Sequence, residues 1–416
     1  MKPFLLILCC LSAGPLVAQS WNQWRGPDRD GSFPQFQEPT RWPDAPKQLW
    51  QVEVGAGYGS PAIAGERAYL LIGQGDREVV SCRDLKTGKE VWRHDYPISF
   101  VANPYATSYG NGPFTTPLVS EGRVFTVGVT GRVVCTDSNS GKELWHADFD
   151  GKLDDKRSLF CGNSVSPILV GDTVVVHVGN EKRGRMTAYD VATGRQKWLW
   201  EEEVPGYASP ILARFQGEQQ LVFLTQNRCV GFDPNNGTAL WSYPWKVQWR
   251  ENIVNPIALG NGVILSGREN GETIALNIHK KRATWQAEKV WSNNEIVMYT
   301  ASPVLIGSKL YGLSNKGKGT FFCLDGLTGK TLWKSEGRQG ASAQIVVTQS
   351  YLLFLNTEAR LVMLDPAADG YRPIKSYELA PRGTWAYPAM LTDGLLLKDA
   401  THLTRFRFSN TSAQVP

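Results

Sequence analysis

One eleven-residue pattern recurs along the chain and constrains its fold more than any other feature. In its clearest copy, residues 188–198, a short segment ends at Asp190, a Thr-Gly turn follows at Gly194, and a second segment ends at Trp198. Asp can accept hydrogen bonds from the backbone two residues further on, and glycine supplies the positive φ that a tight hairpin needs. The pattern therefore predicts a β-hairpin, and its recurrence predicts a repeat architecture.

Six copies keep the tryptophan four residues after the turn glycine or its replacement, which is Lys280-Lys281 in the copy that ends at Trp285. A large rigid side chain at one fixed position suits packing between neighbouring units. We therefore predict a tryptophan-docking motif between units, rather than a surface that binds sugars or quinones. The residues that define this structural repeat are Asp84, Trp92, Asp137, Trp145, Asp190, Trp198, Asp233, Trp241, Trp285, Asp325 and Trp333.

A Ser-Pro-like dipeptide precedes each copy and predicts the start of another strand, because proline at that place costs no ladder hydrogen bond. With Gln344 as a substitute for proline, the chain has eight such starts, between 41 and 56 residues apart. The initiating residues are Pro61, Pro117, Pro167, Pro210, Pro256, Pro303, Gln344 and Pro388. Four short strands in each such interval are typical of a β-propeller blade.

The last copy, from Pro388, has no tryptophan hairpin, whereas a strand-like segment at residues 49–52 has no unit before it. Pairing this first strand into the last blade would close the ring and remove the open sheet edges. We therefore predict an all-β fold: an eight-bladed β-propeller of four-stranded antiparallel blades over residues 47–408, closed by an N-terminal strand that completes the last blade.

Residues 1–18 have the composition of a secretory signal peptide. Lys2 is followed by an apolar run at residues 5–11 and then by a small residue at the expected cleavage position. The run is too short for a membrane-spanning helix. Cys9 and Cys10 lack the small residue that precedes a lipidated cysteine, so there is no evident lipobox. We predict a cleaved signal peptide, no transmembrane segment, and a periplasmic or secreted protein; a lipid anchor is the alternative.

Residues 19–46 are rich in aromatic residues and proline and show neither helical nor strand periodicity. We expect an N-terminal extended arm that is held by its aromatic side chains. The Asp-Arg-Asp-Gly sequence at residues 28–31 is compatible with a calcium loop or with a turn, and its two acids favour the turn. Residues 409–416 are expected to form a C-terminal tail.

The composition is that of a globular protein, and its net charge of +5 is too small and scattered to indicate a nucleic-acid partner. Cys82, Cys135 and Cys323 occupy one position of the repeat. Equivalent positions in adjacent units should lie about 10 Å apart or more, whereas a disulfide needs Cα atoms within about 7 Å. We predict free buried thiols at these three positions, while the pairing of Cys161 and Cys229 stays open.

The Ala-x-Asp-x-x-Thr-Gly-x-x-x-Trp repeat over about residues 47–408 resembles that of the pyrroloquinoline-quinone-type (PQQ-like) propellers. That family includes the quinoprotein alcohol dehydrogenases and the outer-membrane assembly factor BamB. The resemblance implies the same propeller fold. The Trp-x-Gln-Trp-Arg-Gly-Pro sequence at residues 21–27 is also similar to the start of many secreted bacterial PQQ-like proteins.

This resemblance allows two functions, because propellers carry both enzymes and scaffolds. Quinoprotein dehydrogenases have an adjacent-cysteine disulfide over the quinone, and Glu and Asn ligands for calcium beside a catalytic Asp. After residue 18 this sequence has no adjacent cysteine pair, and its five histidines are scattered. We predict an exported, non-enzymatic, BamB-like scaffold with no catalytic residue, metal site or cofactor. The alternative is a small quinoprotein dehydrogenase that uses PQQ and calcium.

The connections that lead into the innermost strands of a propeller line the mouth of its central channel. Here they carry aromatic and basic residues, which are enriched at binding hot spots. We predict that a partner protein or small ligand binds to this face of a monomer; the alternative is that these side chains fill the channel. The candidate binding face contains Tyr58, Tyr105, Tyr109, Phe114, Arg157, Tyr207, Trp245, Trp249, Arg250, Tyr299 and Trp385.

Overall fold

Eight antiparallel sheets make up the computed structural model, seven of four strands and one of five, in which a short N-terminal strand adds to a four-stranded blade; this confirms the predicted all-β, eight-bladed β-propeller. The described residues are 20–100, 103–104, 106, 110, 112–149, 159–247, 251–267, 271–380 and 383–408. The predicted signal peptide and C-terminal tail lie outside these ranges. Within them, no helix has the length and apolar character needed to cross a membrane.

The strands follow the blades in chain order, apart from the first two. The chain begins with β1 (Ser20–Trp21) and β2 (Lys47–Glu53). Blade 1 contains β3 (Ala62–Ala64), β4 (Arg67–Gln74), β5 (Arg77–Asp84) and β6 (Glu90–Pro97), and blade 2 contains β7 (Leu118–Ser120), β8 (Arg123–Val127), β9 (Val133–Asp137) and β10 (Glu143–Ala147). Blade 3 contains β11 (Ile168–Val170), β12 (Thr173–Gly179), β13 (Gly184–Asp190) and β14 (Gln196–Trp200). Blade 4 contains β15 (Ile211–Phe215), β16 (Glu218–Leu224), β17 (Arg228–Phe232) and β18 (Ala239–Pro244).

Blades 5 to 8 repeat this order with one substitution at the end of the ring, where β2 takes the place of the outermost strand of blade 8. Blade 5 contains β19 (Ile257–Leu259), β20 (Gly262–Gly267), β21 (Glu272–Lys281) and β22 (Thr284–Asn293), and blade 6 contains β23 (Val304–Ile306), β24 (Lys309–Ser314), β25 (Thr320–Asp325) and β26 (Thr331–Lys334). Blade 7 contains β27 (Ala343–Val347), β28 (Leu352–Asn356), β29 (Arg360–Leu364) and β30 (Pro373–Glu378). Blade 8 contains β31 (Ala389–Leu391), β32 (Gly394–Lys398) and β33 (His402–Arg407) besides β2.

Ring closure is an antiparallel pairing of β2 with β33 that is interrupted by one register shift, between Gln48 and Trp50. Its register runs from Lys47 opposite Arg407 to Glu53 opposite His402. The innermost strand of each blade begins directly after its initiating proline, except in blade 7, where Gln344 lies inside β27. Both features agree with the sequence-based prediction.

The hydrophobic core is a series of apolar layers between adjacent sheets rather than one central mass. Between blades 2 and 3, for example, Phe125 and Val127 pack with Val174 and Val176. Because each blade has a neighbour on both faces, its middle strands are apolar on both sides, as in the fully buried β12.

The recurring hairpin is fixed by the carboxylate of its Asp. In blade 3, Asp190 Oδ1 accepts hydrogen bonds from the backbone N–H and the hydroxyl of Thr193, at 2.9 and 2.7 Å. Gly194 follows with φ of 70°, which is in the left-handed region that glycine tolerates. The hydrogen bonds from Thr193 hold the pKa of Asp190 below its ordinary value. Asp84, Asp137 and Asp325 make the same contacts.

Trp92, Trp145 and Trp198 donate to the hairpin of the next blade, whereas Trp241 donates to Gln220 of its own blade. The indole Nε1 of Trp92 donates to Ser138 O at 2.9 Å, and its ring covers Gly141 so closely that a Cβ there would lie 2.4 Å from the ring. Trp50 on β2 makes the same contact with blade 1, where it donates to Leu85 O at 2.9 Å. The contact therefore also spans the point where the ring closes.

Blade 5 corrects one member of the predicted repeat. Trp291, not Trp285, lies opposite Ala275 beside a register shift, which is the relation that Trp198 has to Ala188. The Nε1 of Trp291 donates to Gly326 O of blade 6 at 3.0 Å.

The prediction for this copy was wrong because β21 and β22 continue to pair beyond the position at which the other hairpins turn. Trp285 lies near the tip of this long hairpin, opposite Lys280. Its ring is buried in the same cluster as Trp241 of blade 4, and the ammonium of Lys280 lies 4.9 Å from the ring centroid. A sequence spacing counted from the turn cannot detect such an elongation.

All five cysteines within the described ranges are free, and Cys82, Cys135, Cys229 and Cys323 are buried. This result confirms the prediction for the three repeat cysteines and answers the open question about Cys161 and Cys229.

The N-terminal arm enters the central channel and contacts the innermost strands of most blades. Trp21 pairs with Ile63 of blade 1, and Asn22 exchanges hydrogen bonds with Val119 of blade 2. Beyond the turn, Phe33 N donates to Val347 O of blade 7 at 2.7 Å, and Gln37 N donates to Thr392 O of blade 8 at 2.8 Å. The arm is therefore a structural part of the ring.

We expect Trp198→Ala to lower the free energy of unfolding by about 3–5 kcal/mol, because it removes a buried indole and leaves a cavity between blades. Trp291→Ala should have an effect of the same size. The free energy of unfolding is measured by urea denaturation, with circular dichroism as the readout. Leu327→Ala, at a side chain that is 63% exposed, is the matched control and should change stability by less than about 0.5 kcal/mol. Losses below about 1 kcal/mol in both tryptophan variants would contradict their proposed role between blades.

Candidate ligand-binding cavity at the channel mouth

A cavity of about 620 Å³ occupies one mouth of the central channel. Its wall is formed by the connections that lead into the innermost strands of all eight blades, and one residue of the arm completes it. The lining is mainly apolar and aromatic. The aromatic lining residues are Trp24, Tyr58, Phe114, Phe160, Tyr207, Tyr299 and Trp385.

Five residues of the predicted binding face meet in this cavity. They come from blades 1, 2, 4, 6 and 8, and they are Tyr58, Phe114, Tyr207, Tyr299 and Trp385. Five others lie outside the described residues, and these are Tyr105, Tyr109, Arg157, Trp249 and Arg250.

Trp245 is a correction, because the structure places it in the core and not in the cavity. Its side chain is 3% exposed and belongs to the apolar cluster between blades 4 and 5. The backbone N–H of Trp245 donates to Asn227 O, and the ring fits beside Gly267, where no side chain competes for the space. An aromatic residue in a connection between blades can therefore pack into the core instead of lining the channel mouth.

A partial ring of hydrogen bonds joins blades 2 and 3, 3 and 4, and 5 and 6 at the residues before the initiating prolines. Thr116 N donates to Ser166 Oγ, and Ser166 N donates to Ser209 Oγ, each at 3.0 Å. Asn255 N donates in the same way to Ser302 Oγ at 3.0 Å. Each of these residues stands directly before an initiating proline. The Ser-Pro dipeptide thus has two functions: proline begins a strand, and serine accepts the N–H of the neighbouring blade.

Sequence reasoning did not assign this partial ring, Phe160 or Trp24 to the site. The Ser-Pro dipeptides were visible, but they indicated only where strands begin. Trp24 was part of an arm whose path through the channel depends on contacts far away in the sequence.

The arm contributes Trp24 to the floor of the cavity and carries two buried arginines behind it. Arg25 and Arg29 are 1% and 6% exposed. Arg29 donates to Pro167 O and Pro210 O at 2.9 and 3.1 Å, and Arg25 donates to Pro303 O. Burial, together with the charge of Arg25, lowers the pKa of Arg29 to about 9. The segment around them is a turn, as predicted, since Gly31 N donates to Arg25 O at 2.9 Å.

Glu251 is the one carboxylate among the described lining residues, and the hydroxyl of Tyr299 donates to it. Lys318 and Arg338 are the lining cations, and Arg338 forms an ion pair with Glu358 at 3.3 Å. The described chain contains no group of three or more His, Cys, Asp or Glu side chains that could hold a metal ion. Of the ligand types that the quinoprotein resemblance implies for calcium, the described lining contains one carboxylate, Glu251, and the amides of Asn255 and Asn315.

Burial shapes the titration of the groups around the cavity. It raises the pKa of the Cys161 thiol to about 12, with a smaller contribution from the charge of Glu251. Burial also raises the pKa of Tyr58, and the negative charge of Asp399 raises it further. Both groups are neutral at ordinary pH, so they contribute polarity but no charge to the lining.

Lys398 holds one wall of the cavity in place from behind. Its side chain is fully buried, and Nζ donates to Gly57 O at 2.6 Å, Asp399 O at 3.0 Å and Gly55 O at 3.2 Å. The first and third of these carbonyls belong to the connection that carries Tyr58. Burial lowers the pKa of Lys398 from 10.5 to about 7, and the charge of Asp399 acts in the opposite direction.

This lowered pKa predicts a pH-dependent stability. Between pH 7 and about 10 the unfolded chain binds more protons at Lys398 than the folded chain does. The free energy of unfolding therefore rises as the pH is raised from 7 to about 10, and it falls as the pH is lowered over the same range. Relative to Lys398→Met, the free energy of unfolding of the wild type should rise by up to about 1.4 kcal/mol per pH unit over this window. Urea unfolding of both proteins at several pH values measures the difference, and a difference that does not change with pH would contradict the assignment.

The family model for "Outer membrane protein assembly factor BamB" matches residues 76–335. An outer membrane protein assembly factor BamB from Shewanella oneidensis is 21% identical over 371 residues, which cover 85% of this chain and 86% of that protein. The structure of BamB from Moraxella catarrhalis has a TM-score of 0.59 at 13% identity and covers 88% of this chain and all of that one.

A europium-containing methanol dehydrogenase has a TM-score of 0.64 at 14% identity, covering 93% of this chain and 89% of that one. At such identities, these structures show the propeller fold alone. The family model matches more than half of the sequence, so this chain belongs to the BamB family of outer membrane protein assembly factors.

Proposed function

We propose that this protein is an exported, non-enzymatic β-propeller scaffold that binds a partner protein or ligand on its channel-mouth face, in the manner of a BamB-like assembly factor. The observation that carries the proposal is the aromatic cavity, since the connections of eight blades converge to build it. Relatives named as outer membrane protein assembly factors support a binding role rather than a chemical one.

The lining has the composition of a binding surface. Trp, Tyr and Arg dominate binding hot spots because they offer large contact areas at a small entropic cost. Their positions are fixed before any partner arrives, because the connections are tied to each other by the partial ring of serine hydroxyls and to the arm below. A preorganised site loses less conformational entropy on binding.

Export is the second part of the proposal. The signal-peptide composition of residues 1–18 supports it. A monomer is the expected state, because ring closure satisfies the sheet edges inside one chain.

A PQQ-dependent dehydrogenase is the competing function, which the fold of the europium-containing methanol dehydrogenase suggests. The described lining contains one carboxylate, Glu251, and it already accepts a hydrogen bond from Tyr299, which argues against the dehydrogenase function. The two functions differ in a direct measurement, which is the titration of the purified protein with PQQ in the presence and absence of calcium.

We expect a photo-crosslinking amino acid at Arg338, on the rim of the cavity, to yield a discrete adduct in cells of the native host. The same amino acid at Leu327, in a hairpin turn at the opposite end of the blades, is the matched control and should yield none. Mass spectrometry identifies the adduct. Equal adducts from both positions, or none from either, would contradict a binding role of this face.

The PQQ titration completes the test, with tryptophan fluorescence as the readout. We expect no saturable, calcium-dependent quenching. Saturable quenching that requires calcium would replace the scaffold function by the dehydrogenase function.

A further inference from the structure

Two buried arginines and one buried lysine, whose pKa is lowered to about 7, lie just behind the lining of the cavity. Arg25, Arg29 and Lys398 are at most 6% exposed. In the part of the chain that the structure describes, none of the three forms an ion pair with a carboxylate; their partners include backbone carbonyls and the amide oxygen of Gln23. Buried charges without an opposite charge are rare because desolvation penalises them strongly.

The positions of these cations direct their field into the cavity. The carbonyl partners of the two arginines belong to the residues that follow Ser166, Ser209 and Ser302 in sequence, and those three serines line the cavity. Consecutive Cα atoms are about 3.8 Å apart, so the guanidinium groups lie one residue behind the lining. Lys398 has the same relation to Tyr58 through Gly57 O.

The floor also presents hydrogen-bond donors that have no partner. Asn255 is 2% exposed and lines the cavity, yet its Nδ2 has no acceptor. The indole Nε1 of Trp24 and Nη2 of Arg29 are buried without an acceptor as well. Of these residues Asn255 and Trp24 line the cavity, so a ligand that satisfies their donors must carry hydrogen-bond acceptors.

Acidic groups near the cavity reduce this positive field, but each of them already has hydrogen-bond or ion-pair partners of its own or is exposed to solvent. Glu251 already accepts a hydrogen bond from Tyr299, and Glu358 pairs with Arg338 at the rim. Asp399 accepts the backbone N–H groups of Thr401 and His402. The two acids of the arm turn, Asp28 and Asp30, are exposed, so solvent screens them.

We propose that the cavity takes an oxyanion carried on an apolar body, with the aromatic wall around the body and the anionic group at the floor beside Asn255 and Trp24. This inference rests on the proposed binding role of the cavity and names the chemistry of its ligand. The volume of about 620 Å³ falls within the range of small-molecule sites, and the mainly apolar lining with a few polar groups is typical of them.

The test compares three ligands that share one apolar body and differ in charge: 2-naphthoate, 2-naphthalenemethanol and 2-naphthylmethylammonium. Isothermal titration calorimetry of the full chain measures each dissociation constant. We expect 2-naphthoate to bind about tenfold or more tightly than the neutral alcohol, because a charge-assisted hydrogen bond in a buried site is worth that much. The ammonium compound should bind most weakly.

Two variants locate the preference at the floor. Arg29→Met removes a cation, and Asn255→Asp places a negative charge of the same shape at the floor; each should reduce the preference for the anion to less than about threefold. Asn255→Asp keeps the test valid if Arg29→Met does not fold, and thermal unfolding reports on folding in both. Arg372→Met, at an exposed arginine of blade 7, is the matched control and should leave the preference unchanged.

A capped dipeptide pair, acetyl-Phe-Asp-amide and acetyl-Phe-Asn-amide, separates the two sources of such a group. A preference for the Asp peptide assigns the site to an acidic segment of a partner protein, whereas a preference confined to 2-naphthoate assigns it to a small molecule. Both results support the inference.

Equal binding of naphthoate and naphthalenemethanol, or a preference that survives both floor variants, would overturn the inference and leave the proposed binding function intact. Failure of all five ligands to bind at millimolar concentration would overturn this inference; loss of the rim crosslink as well would remove the proposed function.

Discussion

The antiparallel pairing of β2 with β33 is the constraint on which the rest of the structure depends. It joins the first strand of the ring to the last one along the full length of β2, from Lys47 to Glu53. It also places Trp50 against the hairpin of blade 1, so the last interface has the same indole contact that Trp92, Trp145, Trp198 and Trp291 make elsewhere. Without this pairing blade 8 would keep three strands and an open edge, and blade 1 would lose the indole that covers Gly88.

Closure also determines what the central channel can contain. Because the innermost strands converge from all directions, their first carbonyl and hydroxyl groups face a narrow space. Groups inside the channel must therefore supply their hydrogen-bond partners. The arm does this for Pro167, Pro210 and Pro303 through its two arginines. The result is a channel with an aromatic mouth above two buried arginines of the arm, and this asymmetry is the basis on which we propose that one end of the propeller binds a partner or ligand.

Much of the fold could be predicted from the sequence because its determinants are local. The Asp-to-Gly hairpin and the Ser-Pro starts each act within a few residues, so counting them yields eight blades and the missing strand. The position of the repeat tryptophan in blade 5 could not be counted, because β21 and β22 extend their pairing and move the turn away from Trp291.

The candidate site was predictable in location and incomplete in content. The topology of a propeller places the connections at the channel mouth, so Tyr58, Tyr207, Tyr299 and Trp385 were accessible to reasoning. The inward turn of Trp245 depends on space left by Gly267 in another strand. The floor depends on contacts such as that of Arg29 with Pro210, 181 residues away, which no local pattern encodes.

The arm enters the channel and contributes the floor of the cavity. Hydrogen exchange of the native protein, resolved to single amides, tests this arrangement most directly. The account predicts that the amides of Gly31 and Phe33, which donate to Arg25 O and Val347 O, are protected as strongly as those of the innermost strands. Exchange of these amides at the rate of a free peptide would show that the arm does not occupy the channel, and the cavity would then have no floor.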